Sequence, residues 1–346
     1  MPSPLFFYER WIYIMASEFL IDLNDHEKSW KGVSYSKTPD GKITAEVGSI
    51  IPAEGPRQMF WMLDSIMYAS PKGVNPDENH MPHEHRNGYE TFFVDSGSMW
   101  LYIDGMKCKL TKGDILHLQA AQIHGMSFIE DVKYRGTYHD LVVDPDGAAV
   151  GNVLAHMPEL KDDPELMKLM PSLKGGLDMV PRERFLFKEV PVEQCSAVRN
   201  PKRPLAEYKL EGVTMKILTQ RWENAGANEL CCAEMEPGFT AEWVKYPKNR
   251  ELLYLRSGRI KFKVFNEEFV AYDECVINIP KFAPHSLEAL EKSELYDLGG
   301  LTFWSSFMHD YMSIKTYDPE RLKQPGVVDG LKDKFNCPIK CIGMKK

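Results

Sequence analysis

Three histidines and one glutamate in this chain have the types and spacing to hold a divalent metal ion: His83, His85, Glu90 and His124. His83 and His85 are separated by one residue, so on a β-strand both imidazoles point to the same face and become adjacent ligands. Glu90 follows five residues later, enough for a tight turn and a return on the neighbouring strand, with the same inward parity as Phe92 and Val94. His124 lies past a further hairpin, at the start of the next apolar run. Imidazoles and a carboxylate suit a first-row transition metal, and four protein ligands leave one or two positions for water or substrate. An HxH pair in a polar stretch such as 79–88 is, alone, more often a pair of surface histidines. Glu90, Gly97 and His124 argue against that here.

The same frame returns 161 residues later as Val244, Tyr246, Glu251, Gly258 and His285. Glu90, Ser96, Gly97 and His124 are matched identically by Glu251, Ser257, Gly258 and His285. Apolar positions pair too: Phe92 with Leu253, Val94 with Leu255, Leu101 with Phe262, Ile115 with Val276. Many lie two apart, as one buried face of a strand requires. The chain therefore reads as a duplicated unit with one full ligand set. Valine cannot bind a metal and neutral tyrosine binds poorly, so no tightly held ion is expected in the second copy. For Glu251 and His285 three roles stay open, a mutual pair, a ligand site and satisfied polar core residues, with the last as the leading expectation.

The elements that must position these residues are strands. Residues 42–70 read as hairpins, and 90–143 as short strands broken at 96–98, 104–105, 112–114 and 130–132. Asp104-Gly105 is a hairpin turn signal. Residues 150–175 read as helical, with Asp163 as N-cap, Pro164 at the first position and Gly175-Gly176 as the end. Strand-like runs return from Lys209 to Leu298, and Asp318-Pro319-Glu320 opens a helix in a C-terminal wrap. The expected division is an arm at 1–41, a barrel at 42–144, a linker with helix at 145–204, a second barrel at 205–302 and a wrap at 303–346. Short strands with evenly spaced turns indicate closed or sandwiched all-β modules.

Composition narrows the partners. The 346 residues suffice for two cores, and 43% hydrophobic with 27% charged residues is ordinary for a globular chain. A net charge of −8 argues against a nucleic-acid groove and leaves a small molecule as the expected ligand. No run approaches the roughly 20 apolar residues of a membrane helix. Glu9 and Arg10 interrupt the apolar start, which argues against a signal peptide; either Met1 or Met15 could be the first residue. Seven scattered cysteines are not a disulfide framework, and Cys337 and Cys341 have no second pair to complete a metal site. A reducing cytoplasm and a homo-oligomer, such as a dimer, are the expectations.

At this point the residues carry a resemblance. His83-Glu84-His85, four residues, Glu90, six residues and Gly97 resemble the first motif of the cupin superfamily. Gly113 to Gln119, ending in His124, resembles the second, fifteen residues after Gly97. The departures are Asp77 for the first motif's leading glycine, and Gln119 and Ala121 for the second motif's proline and glycine. All are turn positions and bear on local shape. The resemblance implies an all-β chain of two tandem jelly-roll barrels, a bicupin, with a helical linker and a partly helical C-terminal segment. It implies one divalent ion (Fe, Mn, Ni, Cu or Zn) in the N-terminal barrel. Gentisate dioxygenases usually lack the motif glutamate and oxalate decarboxylases usually keep both metal sites, so the pattern is closer to quercetinases.

Three functions follow as expectations. The first is a dioxygenase acting on a small enol, catechol or flavonol-like compound, with Glu90 as ligand and proton acceptor. The second is a non-redox isomerase, lyase or hydrolase on a keto acid, hydroxy acid or sugar derivative, in which the metal polarises a carbonyl. The third is a binding or sensory module without catalysis. Tyr89, His117, Gln119, Tyr138 and His139 are candidates for acid–base or supporting roles. His80 sits at the wrong parity to join His83, and His117 reads better as a hydrogen-bonded core histidine.

Overall fold

The backbone repeats at the same interval as the sequence. Asp104, Gly113 and Ala121 take φ of 50°, 96° and 59°; Phe265, Glu274 and Phe282, each 161 residues later, take 52°, 65° and 65°. Side chains as different as Asp and Phe adopt one left-handed conformation at equivalent turns. The turn geometry is therefore imposed by the strands it joins rather than by the preference of the turn residue. The structure is a computed structural model. It describes residues 17–345 apart from 39, 52–59, 70–74, 76, 78–79, 81, 86–87, 141–153, 155–156, 170–176, 180–186, 225–228, 244–250, 281, 300–303, 336 and 338.

Two barrels, each of two facing sheets, account for nearly all the strands. In the N-terminal barrel one sheet runs Val198–Arg199, Ile115–Leu118, Gly88–Ser96, Val132–Asp140, Phe60–Met67, Ile43–Ile51 and Gly32–Lys37. Its facing sheet runs Leu177–Met179, His83–His85, His124–Phe128, Ser98–Ile103, Met106–Thr111 and Lys188–Glu189. The C-terminal barrel repeats this with Glu251–Ser257 central in one sheet and His285–Ala289 in the other. Registers recur as well: His124 opposes Ile103 as His285 opposes Val264, and Glu90 opposes Leu118 as Glu251 opposes Ile279.

Alternation sorts the side chains into three cores. Phe92, Val94, Leu101, Ile103, Leu116 and Leu118 fill the first barrel. Leu253, Leu255, Phe262, Ile277 and Leu287 fill the second. The other face of the same strands forms the third core, between the barrels, where Phe93 and Ile115 meet Leu252, Tyr254, Val276 and Tyr296. Phe93 packs edge-on against Tyr254 and Tyr296, with ring centroids 5.7 and 5.1 Å away. Such edge-to-face pairs add about 0.5–1.5 kcal/mol to burial. Beside them the buried Arg135 guanidinium donates to the Tyr254 hydroxyl at 2.8 Å, pairs with Glu274 and lies 3.3 Å from Asp95. A cation taken out of water at this depth is held by charged and polar partners from both barrels.

Segments that read as arm, linker and wrap also contribute strands. Leu20–Asp22 pairs with Cys275–Ile279 of the C-terminal barrel, whereas Gly32–Lys37 joins the N-terminal one. The linker adds Leu177–Met179 beside His83–His85, and Val198–Arg199 beside Ile115–Leu118. Asp163 does cap a short helix, Pro164–Leu169, its Oδ1 accepting from the Glu165 and Leu166 amides at 2.9 Å. Gly175 and Gly176 lie outside the described residues. Asp318 opens only a 3-10 turn, Pro319–Lys323, without a side-chain cap. The helices of the wrap are Trp304–Tyr317 and Val327–Phe335, whose Phe307, Met308, Met312 and Phe335 close the second core. The last strand, Ile339–Met344, then pairs with Phe239–Trp243. The six cysteines whose side chains are described are all free and buried. No helix among the described residues is long and apolar enough to cross a membrane.

Two turn positions, Gly97 and Ala121, test the imposed geometry. A Cβ on Gly97, at φ 76°, would collide with the Asp131 carbonyl. Gly97→Ala is expected to lower unfolding stability by at least about 2 kcal/mol. Ala121→Gly is expected to raise it by about 1 kcal/mol, since the alanine already sits in the left-handed region. Urea denaturation midpoints at unchanged slope measure both.

Candidate metal centre

The HxH strand and the glutamate strand lie in opposite sheets, so the expected return onto the neighbouring strand does not occur. His83–His85 hydrogen-bonds along one sheet to His124–Phe128, with His83 directly opposite His124. The chain then crosses the barrel, and Glu90 enters from the facing sheet between Leu118 and Tyr138 in the ladder. The sheet that carries three imidazoles thus meets the sheet that carries the carboxylate. The ligand-type atoms of His83, His85, Glu90 and His124 all lie within 4.8 Å of one another. An ion bonded at about 2.1 Å to each can draw such a set together. The Ala121 amide donates to the His85 carbonyl at 2.7 Å, which ties the 119–122 turn to the HxH strand.

Hydrogen bonding shows what these groups need. His124 Nδ1 is 2.8 Å from the Gln122 carbonyl, which only accepts, so Nδ1 carries the hydrogen. In the neutral ring Nε2 is then a bare lone pair, aimed at Glu90 Oε2 3.3 Å away. His85 Nε2 lies 3.0 Å from Glu90 Oε1. Burial alone would raise the Glu90 pKa, but the contacts with His124 and His85 win and hold the carboxyl well below the usual carboxylate range. Glu90 Oε2 and His124 Nε2 are buried and make no hydrogen bond among the described residues. Acceptors converging on one point in a dry interior call for a cation, and the donor set suits a divalent first-row metal.

The other sequence candidates separate by face. Tyr89 and His117 do not reach the barrel interior: their neighbours Glu90 and Leu118 take that face, and alternation turns them outward. His117 Nδ1 shares a hydrogen bond of 3.0 Å with the Thr91 hydroxyl, and its ring stacks parallel to Tyr89. Gln119 is exposed in its turn, where its backbone amide donates to the Gln122 side chain. Tyr138 and His139 oppose Glu90 and Tyr89 in the ladder; their side chains lie outside the described residues. His80 is buried but is not one of the four converging residues, its Nδ1 2.8 Å from the Asp77 carbonyl and its ring stacked on Tyr102.

Tyr134 is an interior residue that the sequence reading passed over. It opposes Val94 on the inner face, packs edge-on to Phe92 at 5.0 Å and lies beside Ser65. Burial, and secondarily the Glu90 charge, push its phenol up, so it stays protonated. The parity of Val132, Tyr134 and Gly136 was the available signal.

In the second barrel Glu251 and His285 occupy the equivalent places, with His285 Nε2 2.9 Å from Glu251 Oε2. Val244 and Tyr246 lie outside the described residues. Cys337 is buried in the second core and belongs to no described group of three metal-binding side chains; the Cys341 side chain lies outside the described residues.

Residues 72–135 match the Cupin domain family. The N-terminal barrel is a cupin domain. The C-terminal barrel repeats its architecture, turns and register, giving a two-barrel cupin fold. None of the curated proteins matches the chain. Solved structures with a similar arrangement include Bacillus subtilis oxalate decarboxylase at pH 4.6, 15% identical, covering 96% of this chain and 89% of that one at a TM-score of 0.48. Another is a form of the same enzyme studied for its Mn(II) centres, 14% identical, covering 96% and 90%, also at 0.48.

Removing one of four converging ligands has a direct readout. His124→Ala is expected to weaken metal binding by more than about 100-fold, beyond the loss of an outer-sphere partner. His117→Ala, on the opposite face, is expected to leave metal content near one ion per chain. Elemental analysis of the purified variants measures both.

Proposed function

We propose that this chain is a metal-dependent enzyme acting on a small oxygen-bearing molecule, with a single centre made by His83, His85, Glu90 and His124. The convergence of three imidazoles on a buried, anionic carboxylate supports this reading. One divalent ion (Fe, Mn, Ni, Cu or Zn) would sit in the N-terminal barrel, and none is tightly held in the other. When bound, it supplies Lewis acidity and, if redox-active, one-electron chemistry with dioxygen.

We read the reaction as dioxygenation of an enol, catechol or flavonol-like compound. Glu90 is ionised and accepts the hydroxyl proton as such a substrate binds. The Gln122 carbonyl holds the His124 ring in one orientation and one tautomer. Phe92, Ile103, Leu116 and Leu118 give the interior apolar walls that exclude water from the reacting atoms. Tyr89, His117 and Gln119 take no part in the chemistry, because none faces the interior.

One observation favours a non-redox isomerase, lyase or hydrolase instead. The ionised Glu90 and the protonated Tyr134 share the interior, which provides a base and an acid for moving a proton. A cytoplasmic homo-oligomer completes the proposal; the free buried cysteines support a reducing compartment.

Oxygen uptake with the compound panel, after restoring each metal, separates the two reactions. Dioxygenation predicts uptake with Fe, Mn, Ni or Cu and none with Zn. Turnover with Zn under anoxia that drops at least about 100-fold in Tyr134→Phe would establish the acid–base reaction instead. Absence of turnover in both settings, with metal bound, overturns the enzyme reading.

A further inference from the structure

The second barrel keeps half of the ligand set in the same geometry. His285 Nδ1 is 2.8 Å from the Ala283 carbonyl, as His124 Nδ1 is from Gln122, so this nitrogen is fixed as a hydrogen-bond donor. Nε2 then faces Glu251 Oε2 at 2.9 Å, with side-chain exposures of 0% and 5%. A bare imidazole nitrogen and a carboxylate oxygen at this distance repel each other, because both are acceptors. Something positive must lie between them.

In the first barrel two more imidazoles converge on that place, and a metal ion fits. The equivalent sequence positions in the second are Val244 and Tyr246, and no described trio of His, Cys, Asp or Glu side chains includes Glu251 and His285. Two ligands do not replace the hydration shell of a divalent ion. A proton needs only two acceptors. The groups around the pair favour positive charge. Asp297 opposes Leu253 in the ladder, which puts it on the inner face with Glu251, and it is 1% exposed. Cys337 enters from between the last helix and the last strand. Its thiol is pushed well above its usual range by burial and by the charges of Glu251 and Asp297, so it stays neutral. Lys332 acts on that thiol from the last helix.

We propose that a proton takes in the C-terminal barrel the place that a metal takes in the N-terminal one, leaving His285 as an imidazolium bonded to the Glu251 carboxylate. The neutral ring takes up one proton from solvent at Nε2 and keeps it there in a hydrogen bond to Oε2, while Nδ1–H stays on the Ala283 carbonyl. The pair is then neutral overall, satisfied, and closed to metal. The inference is independent of which reaction the first barrel performs.

Long-range proton–nitrogen spectra of the full chain, labelled at histidine nitrogen, test it at neutral pH. The His285 ring is assigned by loss of its signals in His285→Gln, or by through-space contacts to Leu287 if that variant does not fold. Two protonated nitrogens at imidazolium shifts are expected, unchanged by zinc that moves the His124 signals. Glu251→Gln is expected to return the ring to a neutral Nδ1–H form, because an amide N–H can donate to Nε2 without an added proton. A neutral His285 ring in the unmodified chain, or a zinc-induced shift at its Nε2, overturns the proposal. Failure of zinc to move His124 would instead count against the metal centre alone.

Discussion

A carboxylate reaching across a barrel to imidazoles on the facing sheet is the interaction on which this structure turns. It occurs twice, as Glu90 with His85 and His124, and as Glu251 with His285. In each case the histidine is oriented from behind by a backbone carbonyl two residues earlier. That bond decides which nitrogen faces the carboxylate and leaves it as an acceptor. Each barrel must therefore supply a positive charge at its centre. The chemical difference between the two halves lies in how many other imidazoles are present to share it.

The pairing works because the strands alternate and the sheets face each other at fixed separation. The same alternation gives each central strand a second duty. Glu90, Phe92 and Val94 serve the interior, while Phe93 and Asp95 serve the contact between barrels. Arg135 sits at that contact, on the strand that also carries Tyr134 into the first barrel. The inter-barrel core and the candidate centre are thus opposite faces of one sheet, and packing on one side stiffens the other.

Strand exchange at the chain ends adds to this. Leu20–Asp22 closes an edge of the distant barrel, and the linker strand Leu177–Met179 lies directly beside the HxH strand. The linker therefore protects an edge that would otherwise expose unsatisfied backbone next to His83 and His85. Its pairing partner is far away in sequence, and a strand of three residues is too short to carry a periodic signal.

Much of the site was legible in the linear order. HxH spacing, the parity of Glu90 with Phe92 and Val94, and the 161-residue frame depend only on local alternation and an ungapped repeat, which are properties of the chain itself. The duplicated all-β architecture was legible for the same reason. Other features depended on the third dimension. Whether Glu90 returns on a neighbouring strand or crosses to the facing sheet is a matter of sheet topology. Tyr89 is turned outward by the same alternation that points Glu90 inward, but whether His117 serves the interior or the outside depends on register against Glu90, and Tyr134 joined the interior through a strand forty residues away. The left-handed turns at Ala121, Phe265 and Phe282 run against residue preference, because the strands they connect impose the geometry. The sequence by itself determined which residues could be ligands and that the unit was doubled. Only the tertiary structure decided which of them meet, because convergence on one point is set by how two sheets face each other.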